Sequence, residues 1–185
     1  MPPKVKITRE DIVNAGYALA RECGADAVNA RSVAKKLGCS TQPVFSNFAA
    51  MEDLKRAVIE KAEKEYAAFV RRESENSAYP PYKASGMAYI NCARTEKELF
   101  KLLFMRQRNS ETGSEKALFD DATQTVARYT GLTPEEARLF HLEMWAFVHG
   151  IASMFATGFL ELDEELVSRT LSDVYLGLKS RFLGE

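Results

Sequence analysis

Gln42 and Asn47 each carry a side-chain amide, a group that donates and accepts at once. Such an amide pairs bidentately with the N6 and N7 edge of adenine in the major groove, a pairing worth about 1–3 kcal/mol of discrimination. Thr41, Pro43 and Phe45 stand beside them with apolar surface for a thymine methyl or a sugar, and Ser46 adds a hydroxyl. Arg31, Ser32, Lys36, Lys55 and an N-terminal arm holding Lys4 and Lys6 are placed to meet phosphates. Phosphate contacts set affinity and register, while base-edge contacts set sequence. Together these residue types point to reading of double-stranded DNA. Taken singly they read otherwise: Lys35-Lys36 as a solvated helix face, Gln42 and Asn47 as turn and cap residues. The coincidence of amides, rings and cations in one short unit favours the DNA reading.

The elements that would position them lie in Arg31 to Phe48, RSVAKKLGCSTQPVFSNF. Asn29 caps a short basic helix whose buried face is Val33, Ala34 and Leu37, and Gly38 stops it. Ser40 can cap a third helix from Thr41 to about Asn47, with Pro43 in its first turn, where a missing N–H costs nothing. Its outward face is Thr41, Gln42, Pro43, Ser46 and Asn47, and Val44 and Phe48 turn inward. Two short helices about a Gly-Cys-Ser turn form a helix-turn-helix. Upstream, Thr8 and Asp11 make a near capping box for a first helix bearing Ile12, Ala15, Leu19 and Cys23, which Gly24 ends.

Past this three-helix head of residues 1–50, Leu54, Val58, Ala62, Tyr66 and Phe69 give one face of a connector helix from Met51 to about Asn76. The polar stretch Ser74 to Pro81 breaks it. Helices are expected over Tyr82–Ala93, Glu96–Arg108 and Glu115–Tyr129, with a loop at Asn109–Ser114. Thr133-Pro134-Glu135-Glu136 starts a long helix reaching about Leu160, since Pro suits the first helical position and acids the first turn. A last helix follows Asp163. No segment alternates as a half-buried strand would. The expected class is all-α, with about nine helices, and residues 51–185 form connector and helical body.

The net charge of −1 is unevenly spread. Residues 1–50 hold seven Lys/Arg against four Asp/Glu, hence +3, and the remainder holds 18 against 22, hence −4. A basic first quarter on an acidic body suits contact with a polyanion at one end. Cys23, Cys39 and Cys92 lack metal-type spacing and read as reduced thiols of a cytoplasmic protein. The N-terminus lacks a signal-peptide core, and the uncharged run Met144–Leu160 reads as a buried bundle helix, not a membrane span. His141 and His149 have no carboxylate or thiol a turn away, and no phosphate loop or nucleophile motif occurs, so neither metal, cofactor nor enzymatic activity is expected. Catalysis assembled across helices stays open as a competing class.

The chain resembles the tetracycline-repressor (TetR) family of bacterial transcription regulators from Thr8 to about Leu54. The resemblance rests on the Ala-rich first helix, Val33-Ala34 before Leu37-Gly38, the Gly38-Cys39-Ser40 turn, Val44-Phe45, Phe48, and Glu52-Asp53-Leu54. It departs at three places. Phe45 stands where Tyr is usual, Asn47 where His is usual, and Ala50-Met51 where an Asn-Lys or similar pair starts the fourth helix. The ring is kept, but a hydroxyl, a cap and a phosphate-facing cation are lost, with Lys55 a partial substitute. A degenerate head that binds protein instead of DNA is the alternative these changes leave open.

In the body, Ala146, Gly150, Ser153 and Thr157 form a stripe of small residues that would let two helices approach closely. Burial within one subunit would explain it equally. The resemblance implies that this helix and the last, through Val167, Leu171, Val174 and Leu178, pack against their copies in a homodimer. Two heads at fixed spacing would then match a palindromic operator. It also implies a pocket for a small apolar effector among Tyr82, Met87, Tyr89, Phe100, Phe104, Met105 and Phe119, with Trp145 and His149 one turn apart beside them. Each of these singly reads as core.

Overall fold

Local signals start and stop most of the helices. The computed structural model describes residues 7–106 and 114–184, with the side chains of 114–119 left aside. Lys4, Lys6, most of the Asn109–Ser114 loop and the Phe119 side chain lie outside the described residues. Nine α-helices and no strand occur among those described: α1 (Arg9–Cys23), α2 (Ala30–Lys36), α3 (Gln42–Asn47), α4 (Met51–Glu75), α5 (Pro81–Thr95), α6 (Lys97–Phe104), α7 (Ser114–Thr130), α8 (Pro134–Thr157) and α9 (Glu164–Leu183). The all-α expectation holds.

Capping boxes close the N-termini of α1, through Thr8 and Asp11, and of α8, through Thr133 and Glu136. Asn29 and Asp163 cap α2 and α9 by accepting from the backbone N–H groups of Ser32 and Leu166. A short 3-10 turn, Ala25–Ala27, follows α1.

Other ends differ from expectation. Thr41, not Ser40, stands at the N-cap of α3, and no side chain caps it. Thr41 already has helical dihedrals (φ −74°, ψ −11°), so it lacks the extended backbone that lets a cap side chain fold back. Helix α6 ends at Phe104. Helix α8 ends at Thr157, short of Leu160, because Gly158 takes the left-handed conformation at φ 70°.

Two compact units divide the chain. One comprises Met1–Ala68 and Glu96–Arg106, the other Phe69–Thr95 and Gln107–Glu185. In the first, Ile12, Val33, Val44, Leu54 and Val58 pack with Leu99, Leu102 and Leu103, so α6 shares a core with the head helices. Arg21 of α1 reaches Glu96, the N-cap of α6, through both carboxylate oxygens. In the second, α8 packs against α5, α7 and α9. Phe140, fully buried, meets Tyr175 edge-on at 5.4 Å and Phe182 at 5.7 Å. Helix α8 is long and apolar enough to cross a membrane, yet Ala137, Phe140, Met144, Val148, Ile151, Ala152 and Phe155 are buried within the protein itself.

Candidate nucleic-acid interface and effector site

The turn between α2 and α3 is fixed by its own backbone. Gly38 sits at φ 66°, a conformation costly for side-chain-bearing residues. It lets the N–H groups of Gly38 and Cys39 reach the carbonyls of Lys35 and Ala34 at 3.2 and 3.0 Å, a Schellman closure of α2. The chain then re-enters helix at once. Val44 and Phe48 go into the core, as the spacing predicts, while Gln42, Phe45 and Ser46 are exposed, Phe45 by 59%.

Several of the residues expected to meet DNA are held by neighbours. The Asn47 amide nitrogen donates to the Pro43 carbonyl at 2.8 Å, a bond it must release to pair with a base edge. The Ser46 hydroxyl donates to the Gln42 carbonyl at 2.9 Å. Lys36 lies 2.9 Å from the Glu22 carboxylate of α1, an exposed pair of the kind worth only about 0–1 kcal/mol. Arg31 and Lys55 are exposed, Thr41 and Pro43 half-buried, and Ser32 donates its N–H to the Asn29 cap. Gln42 is thus the amide left with an outward side chain.

Two further cations lie beside Asn47 and Phe48. Arg9 stacks its guanidinium over the Phe48 ring at 4.7 Å, and Arg56 lies 3.6 Å from Asp53. Both line a cavity of about 290 Å³ with Asn47, Asp53 and Glu60. Arg9 follows the Thr8 cap and Arg56 follows Lys55; only an estimate of helix facing could have singled them out.

The residues expected to form an effector pocket divide between the two units. Phe100, Phe104 and Met105 belong to the first unit, where Phe104 meets Tyr66 at 5.0 Å and Phe100 at 5.0 Å. Tyr82, Met87, Tyr89, Trp145 and His149 belong to the second. There, Tyr82 and Tyr89 of α5 each place a hydroxyl 2.9 Å from Nδ1 of a histidine of α8, His141 and His149 respectively. His149 also stacks on Trp145, with ring centroids 4.9 Å apart. A cavity of about 380 Å³ lies between the end of α4, α5 and the start of α9; of the expected pocket residues it contains Met87.

Burial holds the Tyr82 phenol well above its ordinary pKa, so this hydroxyl stays protonated beside His141 Nδ1. Burial depresses the pKa of both histidines from 6.5. The unfolded chain therefore binds protons first as pH falls. Stability is full above about pH 6.5 and is lost as pH falls through the folded values. The melting temperature between about pH 8 and pH 5 should decline on the acid side, and His141→Gln should flatten that decline. An unchanged profile in the variant would remove His141 from the account.

The expected dimer residues also divide. Ala146 and Thr157 are exposed and Gly150, Ser153, Val174 and Leu178 half-buried, but Val167 (0% exposed) and Leu171 (3%) are core within the chain. Both pack within the chain, Val167 with no accessible surface and Leu171 with little. The outward apolar residues are Leu139, Leu142 and Met154 of α8 and Leu166 and Leu176 of α9, the last 58% exposed. Among the described residues, no group of three or more His, Cys, Asp or Glu is arranged to hold a metal ion.

Residues 82–174, half of the chain, match the family model described as tetracyclin repressor-like, C-terminal domain. No curated protein sequence matches. Among solved structures, a TetR-like transcriptional regulator from Rhodococcus sp. RHA1 has a TM-score of 0.65 at 13% identity, covering 100% of this chain and 98% of that one. A TetR variant from Acinetobacter baumannii AYE in complex with minocycline has a TM-score of 0.57 at 17% identity, covering 97% of this chain and 96% of that one. At these identities the likeness is one of fold. The match over α5 to α9 and the nine-helix fold agree, and the chain belongs to the TetR family of transcriptional regulators.

Proposed function

We propose that the protein is a ligand-responsive transcriptional repressor that binds a palindromic operator in double-stranded DNA as a homodimer in the cytoplasm. The observation that carries this reading is the outward face of α3 in a member of this family. Gln42, Phe45 and Ser46 stand exposed opposite a seam of buried Val44 and Phe48, beside the exposed cations Arg31 and Lys55. Residues 1–50 act as the DNA-binding head and residues 51–185 as connector and effector-binding, dimerising body. The apolar residues left outward on α8 and α9 support pairing of two copies. Three free cysteines suit a reducing compartment.

A ligand acts by preferring one arrangement of the body, and its effect on DNA affinity is bounded by that preference. Three chain connections join the two compact units: along α4 at Ala68 to Phe69, from α5 into α6 at Thr95 to Glu96, and after α6 at Arg106. Cognate DNA should in turn weaken ligand binding.

Gln42→Ala is expected to relax sequence preference by about 1–3 kcal/mol at one position of each half-site. Lys36→Ala is expected to weaken all sequences alike and lower the salt slope by about one. Titrations of a palindrome selected from genomic fragments, across salt concentrations, check both. If the two variants titrate like the parent chain, α3 is not the reader. The alternative of a protein-binding adaptor draws on the internal bonds of Asn47 and Lys36. It predicts no salt-dependent shift of any genomic fragment.

A further inference from the structure

Glu96 is the single residue between α5 and α6, and the chain passes there from the second compact unit into the first. Glutamate is not among the preferred N-caps, and the Glu96 carboxylate makes no bond to the first turn of α6. It is turned to α1 instead. Arg21 gives its Nε–H to Oε2 at 2.6 Å and a terminal nitrogen to Oε1, the two-pronged geometry that fixes direction as well as distance. The Glu96 side chain is largely covered, whereas Arg21 is half exposed.

Three helices of the first unit meet around this pair. Glu96 of α6, then Tyr17 of α1 and Glu65 of α4, hold the Arg21 guanidinium in its charged form. Lys61 of α4 reaches Glu65 at 3.2 Å and lies 5.4 Å from the Tyr17 ring. The start of α6 also abuts the end of α1. A Cβ on Gly24, the residue that ends α1 at φ 86°, would stand 2.9 Å from Glu98 Oε2. Leu99, Leu102 and Leu103 then join Ile12 and Val33 in the core, and α1 in turn packs on α2 and α3.

An ion pair with one half-exposed member adds little to stability. What it adds is direction. Apolar burial is non-directional and survives small slides of α6, whereas two parallel N–H···O bonds weaken steeply once misaligned. We infer that Arg21 is a positioning residue: through Glu96 it ties the end of α5 to α1, so that a change in α5 moves the α2–α3 reader. The inference rests on the regulator reading above and assigns part of its transmission to α1 and α6, beside the continuous helix α4. Linkage runs both ways, so operator bound at the reader is felt in α5, and DNA serves as the perturbant.

Hydrogen exchange on the full chain, with and without the palindrome selected from genomic fragments, tests this. In the parent, operator should change exchange in residues 81–95 of α5 as well as in α3. Arg21→Gln and Glu96→Gln should each leave the melting temperature nearly unchanged and operator affinity within about threefold. The response in residues 81–95 should nevertheless fall at least about fivefold in each. The double variant should lose no more than either single one, because the two side chains act as a pair. Arg21→Lys, which keeps the charge but not the fork, should stay as impaired as Arg21→Gln. A response in α5 that survives both single substitutions, additive losses in the double variant, full response with lysine, or a parent that binds operator without change in α5 would each overturn the inference and leave operator binding standing. A large drop in melting temperature in both single variants would reduce the pair to a structural staple and overturn it likewise. A parent chain that shifts no fragment overturns the regulator reading, and this inference with it.

Discussion

Gly150→Leu should give a folded chain that no longer dimerises, with affinity for a palindromic operator lowered by at least about a hundredfold. Within the subunit, a first side-chain carbon at this position meets no neighbour. No heavy atom lies within 4 Å of where a Cβ on Gly150 would stand, its own helix turns aside. Glycine in a helix interior costs about 1 kcal/mol relative to a good helix former, so leucine should stabilise α8 slightly. A second chain approaching the stripe of Ala146, Gly150, Ser153 and Thr157 would meet the new side chain. Linking two heads in one dimer makes the second half-site contact effectively intramolecular, and that advantage is what the variant would lose. Sedimentation velocity and operator titration, run on the same preparation, read both effects. A variant that stays dimeric at the parent's concentration dependence would place the interface elsewhere, and Gly177, exposed on α9 with nothing within 4 Å of a Cβ, is the second position to test.

What could be read from the chain alone divides along the same line as local and non-local interactions. Thr8 with Asp11 and Thr133 with Glu136 announce helix starts because their capping bonds span three residues, and both boxes form. The seam of Val44 and Phe48 was legible for the same reason, since a short helix with two inward apolar residues has few ways to face a core. Partner choice was not. Leu99, Leu102 and Leu103 mark α6 as amphipathic, but nothing within α6 tells that its apolar face joins the core of Ile12 and Val33. Leu166 and Val167 are adjacent and equally apolar. The register of α9 on its neighbours buries Val167 completely and leaves Leu166 outward. The Asn47 amide likewise reads as a base contact from its position, while its bond to Pro43 depends on a rotamer. Arg21 and Glu96 lie 75 residues apart and carry no motif.

Phe140→Ala should destabilise the second unit by about 3–5 kcal/mol. The ring has no accessible surface and joins α8 to α9 through Tyr175 and Phe182, with Val126, Leu132 and Met144 completing the cluster. Removing it deletes both the buried area and two ring–ring contacts, and helices held from several sides cannot close fully over the space left. The chain's single tryptophan, Trp145, sits on α8 in the same unit, so its fluorescence follows this transition directly. Denaturation should show a lower midpoint at unchanged slope, and Phe140→Leu, which retains most of the volume, should recover much of the loss. Function should follow packing: α8 and α9 carry the proposed dimer surface, so a loosened α9 should weaken dimerisation and, through it, operator binding, although no residue of the head is altered. A fluorescence midpoint within the range of a surface substitution, about 0.5 kcal/mol, would mean that α8 and α9 are joined by something other than this aromatic cluster.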